Sequence, residues 1–442
     1  MDTVLLFALG VLIVLVGLAL SIGLHEIGHL IPAKLFGVKV TQYMIGFGKT
    51  LFSFRRGETE YGVKAIPLGG YISMIGMFPP AKGDEHGRNA TTGFMQTMAQ
   101  DARVASMETV TTGEDERTFY KLAVWKRVII MFGGPFMNLL IGVVLFGVLL
   151  MGFGTPQAST TVGSVSQCVL PSTSTRQTCE AGDPSGPAAG AGIKPGDRIV
   201  SIDGLAITSW NQSTEIIRAS AGRPLTVVLE RAGATRTVTL TPKTNTVAKA
   251  GANGTALKDA NGNVITQSVG FIGIGTQQQL VPQPVTSVLP AVGAQVGAVA
   301  GVIIDLPQRL VGIWNAAFGP GQRDPNGPMS IVGVGRVAGE VTALNGVPAV
   351  DKVYTMIGLI ASLNIALFVF NLIPLLPLDG GHIAGALWEG FRRAFARLFK
   401  RRDPGPVDMA KLMPLTLAVV VVLGGMSLLL VYADIVKPVT IG

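Results

Sequence analysis

Residues 15–37, LVGLALSIGLHEIGHLIPAKLFG, form an apolar run long enough to cross a bilayer, yet they enclose His25, Glu26 and His29. Ionisable groups in hydrocarbon are costly, and as a rule they face a cavity or a partner and mark a functional site. The rest of the chain must therefore bring a partner to this segment. Composition agrees with a membrane setting, with 48% hydrophobic and only 14% charged residues, against about 25% charged in soluble domains. The net charge of +8 is no nucleic-acid footprint, because the basic residues cluster beside apolar spans. Two cysteines, Cys168 and Cys179, exclude both a disulfide scaffold and a cysteine-rich metal site.

Windows of about 20 apolar residues are candidate spans. Three are clear, at about 3–36, 128–153 and 411–434, and a fourth at about 353–378 is interrupted by Pro374 and Pro377. Irregular backbone at membrane depth persists only where protein or a wet cavity shelters it, so the broken end is expected to line a site. The first span has no basic leader, only Asp2, and its apolar core is too long for a signal sequence. Lys34, Lys39, Arg55 and Arg56 follow the first span, Lys121, Lys126 and Arg127 precede the second, and FRRAFARLFKRR (391–402) lies between the last two. By the positive-inside rule these segments are cytoplasmic, with the N-terminus and the long 154–352 region outside. A Cys168–Cys179 disulfide and two free thiols both remain open.

HEIGH places His25 and His29 at i and i+4, one face of a helix. Two imidazoles so spaced can share one ion, and Glu26 stands where it can act as general base toward water on that ion. Zinc suits such ligands, and a catalytic zinc takes three protein ligands and keeps one position open. The plainer alternative is a structural histidine pair bonding across the bundle. NLIPLLPLDGGH (371–382) supplies Asp379 as the third ligand. At 1.5 Å per residue His25 lies roughly 33 Å along the first span. Asp379, at the end of a parallel span, falls at the same cytoplasmic side. His382 is open as fourth ligand, as a neighbour that orients a ligand, or as a residue facing headgroups. His86 reads as a solvated loop residue.

HEIGH in a first span, GGPFMN (133–138) in a second and NLIPLLPLDGG (371–381) in a third together resemble the bacterial site-2 protease family of the sigma-E-protease type. The resemblance implies an intramembrane zinc metalloendopeptidase that cleaves single-span membrane proteins, such as anti-sigma factors, in regulated intramembrane proteolysis. It implies zinc ligation by His25, His29 and Asp379, catalysis by Glu26, and substrate handling by Asn371 and Pro374. Asn138 matches the polar residue of the second-span motif, and on its own chemistry it reads as an interhelical hydrogen-bonding group.

GAGIKPGDRIVSIDG (190–204), PLTVVLE (224–230) and TRTVTL (235–240) read as turns and strands and resemble a single PDZ domain with a core at about 157–245. Such a fold accepts a peptide C-terminus by strand addition; a spacer without a partner is the alternative. GETEYGVKAIPLGGYISMIGM (57–77) alternates like a β-hairpin. The expected fold class is a polytopic α-helical membrane protein with four spans, an inserted extracytoplasmic α+β PDZ domain and a membrane-associated cytoplasmic hairpin. Its segments are 1–37 (first span), 38–80 (hairpin), 81–122 (polar loop), 123–154 (second span) and 155–285 (PDZ-containing region). They continue with 286–350 (membrane-associated linker), 351–390 (third span), 391–410 (basic loop) and 411–435 (fourth span). Expected partners are single-span substrates, a peptide C-terminus and the lipid bilayer of a bacterial inner membrane, with no nucleic acid. The rival reading is a non-catalytic PDZ-bearing scaffold or receptor with a structural metal site.

Overall fold

The computed structural model describes residues 2–80, 94–111, 113–170, 178–249, 257, 259, 264–319, 323–324 and 327–439. His86 and most of the loop around it lie outside the described residues, as does Asn326 in NGPMSIVGVG (326–335). The chain divides into a unit of 1–152 with 284–442 and an inserted unit of 153–283.

The first unit is built on apolar helices. α1 (Asp2–Leu35) carries the HEIGH segment; after it β1 (Val40–Arg56) and β2 (Thr59–Met74) pair antiparallel. This is more than the expected simple hairpin. Tyr43 lies opposite both Ile72 and Tyr61, so both strands fold back on themselves and the 70–74 segment becomes an edge. The turn between the strands is clamped where Arg117 donates two hydrogen bonds to Glu58. α2 (Phe94–Glu108) corrects the expectation of a structureless loop. Met98, Ala99, Ala102 and Ala105 recur at helical spacing, and Arg103 pairs with Asp408 at 2.7 Å.

α3 (Val124–Gly147) continues through one wider turn at Val148–Phe153. It meets α1 backbone to backbone. A Cβ on Gly28 would lie 2.2 Å from the Gly133 carbonyl oxygen, and one on Gly133 would lie 2.0 Å from that of Gly28. Small residues are what permit such an approach between membrane helices, so the glycines of HEIGH and GGPFMN are the contact that sets the two helices' spacing.

The inserted unit holds β3 (Thr155–Val165), the short α4 (Pro187–Gly190), β4 (Arg198–Ile202), β5 (Leu205–Ala206) and α5 (Trp210–Ala219). It continues with β6 (Leu225–Arg231), β7 (Ala234–Leu240), β8 (Lys243–Ala248), β9 (Thr266–Phe271) and β10 (Ile274–Val281). The main sheet runs β10-β3-β4-β6-β7, with β8 and β9 as a separate pair. The unit therefore extends past the expected core limit of 245, because β10 returns to pair with β3. Its core gathers Val162, Ile199, Ile202, Leu225, Val227 and Leu229 from neighbouring strands; on β6 they alternate, and on β4 an irregularity between Ile199 and Ser201 brings Ile202 to the same side. Cys168 and Cys179 are disulfide-bonded, which decides between the two states left open by the sequence.

The chain then returns to the first unit as α6 (Val288–Ile304), α7 (Leu306–Phe318) and α8 (Ile331–Ala343), three helices where a linker was expected. α8 is capped by Ser330, whose backbone and hydroxyl both donate to Asp434, itself paired with Arg323. α9 (Ala349–Asn371) ends before the two prolines, and Asp379 opens a new helix, α10 (Asp379–Leu398). The expected basic loop at 391–410 is thus helical as far as Leu398. α11 (Met413–Val436) completes the unit. Among the described residues five helices are long and apolar enough to cross a membrane, the fifth being Val285–Ile304. Asp305 and Arg309 lie just beyond its end.

Candidate metal centre

His25 and His29 face inward from α1 in a site closed by α3, the 70–74 edge and the start of α10. His29 is 4% exposed and Glu26 7%. His25 Nε2 and His29 Nε2 are 3.1 Å apart, and Asp379 Oδ2 lies 3.3 Å from the first and 3.4 Å from the second. Three potential ligand atoms thus fall within 4.8 Å of one another. Asp379 arrives because α9 stops at Asn371 and the chain turns through Pro374 and Pro377 before restarting. A carboxylate in the first turn of α10 also meets the favourable end of that helix's dipole.

The donor set fits a divalent cation. His29 Nδ1–H donates to the Ile130 carbonyl of α3 at 2.7 Å, because a carbonyl can only accept. In the neutral ring Nε2 is then a lone pair, aimed at a carboxylate oxygen and a second imidazole. Such an arrangement is repulsive unless a cation or extra protons occupy the middle, and fixing a ligand's tautomer through its far nitrogen is characteristic of metal sites. The space beside the imidazoles is kept open by Gly134. A Cβ there would stand 2.2 Å from His29 Nε2 and 2.7 Å from His25 Nε2.

Beside this trio lies a cavity of about 300 Å³, lined among others by Glu26, Gly70, Tyr71, Ile72, Asn371 and His382. The strand edge passes close to Glu26: a Cβ on Gly70 would lie 3.1 Å from its Cγ. The structure brings together His25, Glu26, His29 and Asp379, with Asn371 and His382 in the same cavity. His382 stands outside the ligand cluster. Pro374 is not among the lining residues; it shapes the turn that delivers Asp379. Asn138 is buried at 1% exposure, one turn along α3 from Gly134, and its amide has no hydrogen-bond partner among the described residues. The interhelical bond in this part of the bundle is made by Asn364, whose amide donates to Ser21 Oγ at 2.9 Å. Sequence reasoning did not single out Gly134, the Ile130 carbonyl, Ile72 or Asn364. Of these, the glycine pair preceding Pro135 was the readable signal.

Fold and site together define a membrane-embedded zinc metalloendopeptidase, and the comparisons agree. The model of Peptidase family M50 matches residues 13–402. The chain is 35% identical to the zinc metalloprotease Rip1 of Mycobacterium tuberculosis over 442 residues, covering 98% of this chain and 99% of that one. It is 33% identical to the Rip1 protein of Mycolicibacterium smegmatis, with 99% of each covered. It is 30% identical to the metalloprotease MmpA of Caulobacter vibrioides, over 86% of this chain and 87% of that one. The chain belongs to peptidase family M50, the site-2 proteases.

Proposed function

We propose that this protein cleaves single-span membrane proteins, anti-sigma factors among them, in regulated intramembrane proteolysis, with Glu26 as the acid–base residue. The observation that carries the reading is the convergence of three potential ligand atoms beside the carboxylate of Glu26, in one cavity with an open strand edge. His25, His29 and Asp379 would hold the zinc. When bound, zinc supplies Lewis acidity, polarising a carbonyl and making water easier to deprotonate. Glu26, buried next to the ligands, accepts the proton from the attacking water and delivers it to the leaving amine.

The edge at 70–74 suits a substrate whose helix has locally unwound. A helix hides its carbonyls in hydrogen bonds, whereas a segment laid along a strand edge exposes them to the site. Asn371 faces the same cavity and offers an amide to hold that backbone, and Pro374 keeps the turn before Asp379 in place. The exclusion of His382 from the ligand cluster favours a catalytic centre over a structural one, since structural zinc sites are four-coordinate and closed.

In this reading the inserted unit is a PDZ domain. A cavity of about 210 Å³ lies between α5 and the 270–274 segment, beside the edge strand β10. That is the arrangement strand addition of a peptide C-terminus requires. The disulfide supports placing this unit on the oxidising, outer side of a bacterial inner membrane, and the basic residues flanking the spans support the hairpin and catalytic end being cytoplasmic.

Replacing Glu26→Gln tests the mechanism. Zinc should remain at the wild-type content while cleavage of a single-span reporter falls by 10² to 10⁴, roughly the contribution of acid–base catalysis. Full turnover by this variant would refute the assignment. A wild-type protein that binds zinc but cleaves no reporter would favour the scaffold.

A further inference from the structure

α10 has two stripes. Ala386, Glu389 and Ala396 are buried against the bundle. Trp388, Phe391, Phe395 and Phe399 occupy the outer side at the spacing of a second face, and between 46% and 61% of each is exposed. These rings form a continuous ladder, with successive centroids 5.5, 6.3 and 4.4 Å apart. A large apolar surface left open on a soluble face would be a liability, and α10 is not one of the candidate spans.

Its height is given by its neighbours. A Cβ on Gly390 would lie 3.3 Å from Val124, the first residue of α3, and Arg127 of the same turn pairs with Glu389. That end of α3 carries Trp125, 56% exposed, with Lys126 over its ring. An aromatic and a lysine at the end of a span mark the membrane–water interface. The ladder of α10 is therefore level with lipid headgroups.

Charge decides what lies there. Glu389 is occupied by Arg127 and Arg393, and Asp403 also faces Arg393. Arg392, Arg397, Lys400, Arg401 and Arg402 have no acidic partner among the described residues. Three of them, Arg392, Arg401 and Arg402, line a cavity of about 330 Å³ whose other wall is Trp388, Phe391 and Phe395. Guanidiniums match phosphate oxygens by forked hydrogen bonds, and the aromatic wall suits an acyl chain.

We propose that this cavity binds the headgroup of an anionic phospholipid, with its phosphate on Arg392, Arg401 and Arg402 and its first acyl carbons along the aromatic ladder. The inference rests on membrane embedding alone and stands apart from the assignment of Glu26. An arginine at a charged membrane surface contributes about fivefold in affinity, so three make the site selective for anionic over zwitterionic lipid.

The test uses the full-length protein reconstituted in bilayers of phosphatidylcholine with or without phosphatidylglycerol, followed by native mass spectrometry of retained lipid. Wild type should keep phosphatidylglycerol in preference to phosphatidylcholine. R392Q/R401Q/R402Q should lose that preference while keeping its zinc, and R392K/R401K/R402K should keep most of it. Trp388→Ala with Phe391→Ala should weaken retention of the lipid without a change in charge. If the triple variant fails to fold, R401Q alone is expected to lose about fivefold. Equal retention of both lipids by wild type, or undiminished preference in the glutamine variants, overturns the proposal. So does complete displacement of the lipid by inorganic phosphate at matched ionic strength, which would show a phosphate site with no lipid component.

Discussion

Two clusters of buried charge hang on the same helix, α10, about 15 Å apart along its axis, and they are built on opposite principles. At Glu389 every carboxylate oxygen is answered: Oε1 accepts from Arg127 and forms an ion pair with Arg393, and Oε2 accepts from the Val407 backbone at 2.9 Å. At Asp379 the neighbours are two imidazole nitrogens, of which His29 Nε2 is a lone pair in the neutral ring, and Oδ2 has no hydrogen-bond donor among the described residues. One cluster is complete without a ligand and joins α3, α10 and the 400–408 segment. The other is incomplete by construction, and its geometry is favourable only with a cation or extra protons between the three groups. Burial alone therefore does not distinguish a site from a staple; the sign of what surrounds the acid does.

Substitutions can break this contrast. The largest effect is expected at Gly134, where alanine would put a methyl into the space beside both imidazoles. G134A should purify with almost no zinc and no measurable proteolysis, whereas G147A, on the same helix with nothing within 4 Å of the added carbon, should match wild type. Stoichiometric zinc in G134A would mean that the cradle is not where the metal sits. E389Q comes next. It leaves the buried Arg127 facing a neutral amide, and removing one partner of such a pair costs roughly 3–5 kcal/mol. Thermal unfolding in detergent should fall accordingly, with zinc per folded molecule unchanged. Loss of zinc at equal folding would show that the two clusters are not separable.

The smallest effect lies in the inserted unit. Arg231 donates to both oxygens of Asp197 at 2.6 and 2.7 Å and holds that carboxyl below the usual carboxylate range. A depressed folded-state value means the stabilisation is complete above the unfolded value near pH 3.9. It is then lost as pH falls toward the folded one. D197N should therefore be less stable than wild type at neutral pH, by circular dichroism of its strands, and the two should converge in strong acid. A gap that persists at low pH would mean that the residue contributes through shape and not charge.

The site was legible to the extent that its chemistry is periodic or punctuated. His25 and His29 at i and i+4 announce one face, and Asp379 follows a proline-broken apolar run, so both could be found without a fold. The cradle could not. Gly134 matters for the atoms it omits, and Ile130 acts through a carbonyl that every residue possesses. The spans were readable from hydropathy, but the helix at 379–398 was not, because its charge density reads as a loop while its burial depends on α3. The doubling of β1 and β2 escaped as well. Alternation fixes which residues share a face of a strand, but not that Tyr43 has neighbours on two sides.

The coupling of His29 to Ile130, and of both histidines to Asp379, also orders events during synthesis. HEIGH leaves the ribosome several hundred residues ahead of the aspartate that completes its set, and α3 emerges between them. A nascent or truncated chain therefore carries the family's most recognisable motif in an inert form. With the zinc ligands proposed above, the capacity to cut peptide bonds inside a membrane would arise only when the last third of the polypeptide has been inserted and docked. For an enzyme made among thousands of other membrane segments, this lateness is a safeguard written into chain order.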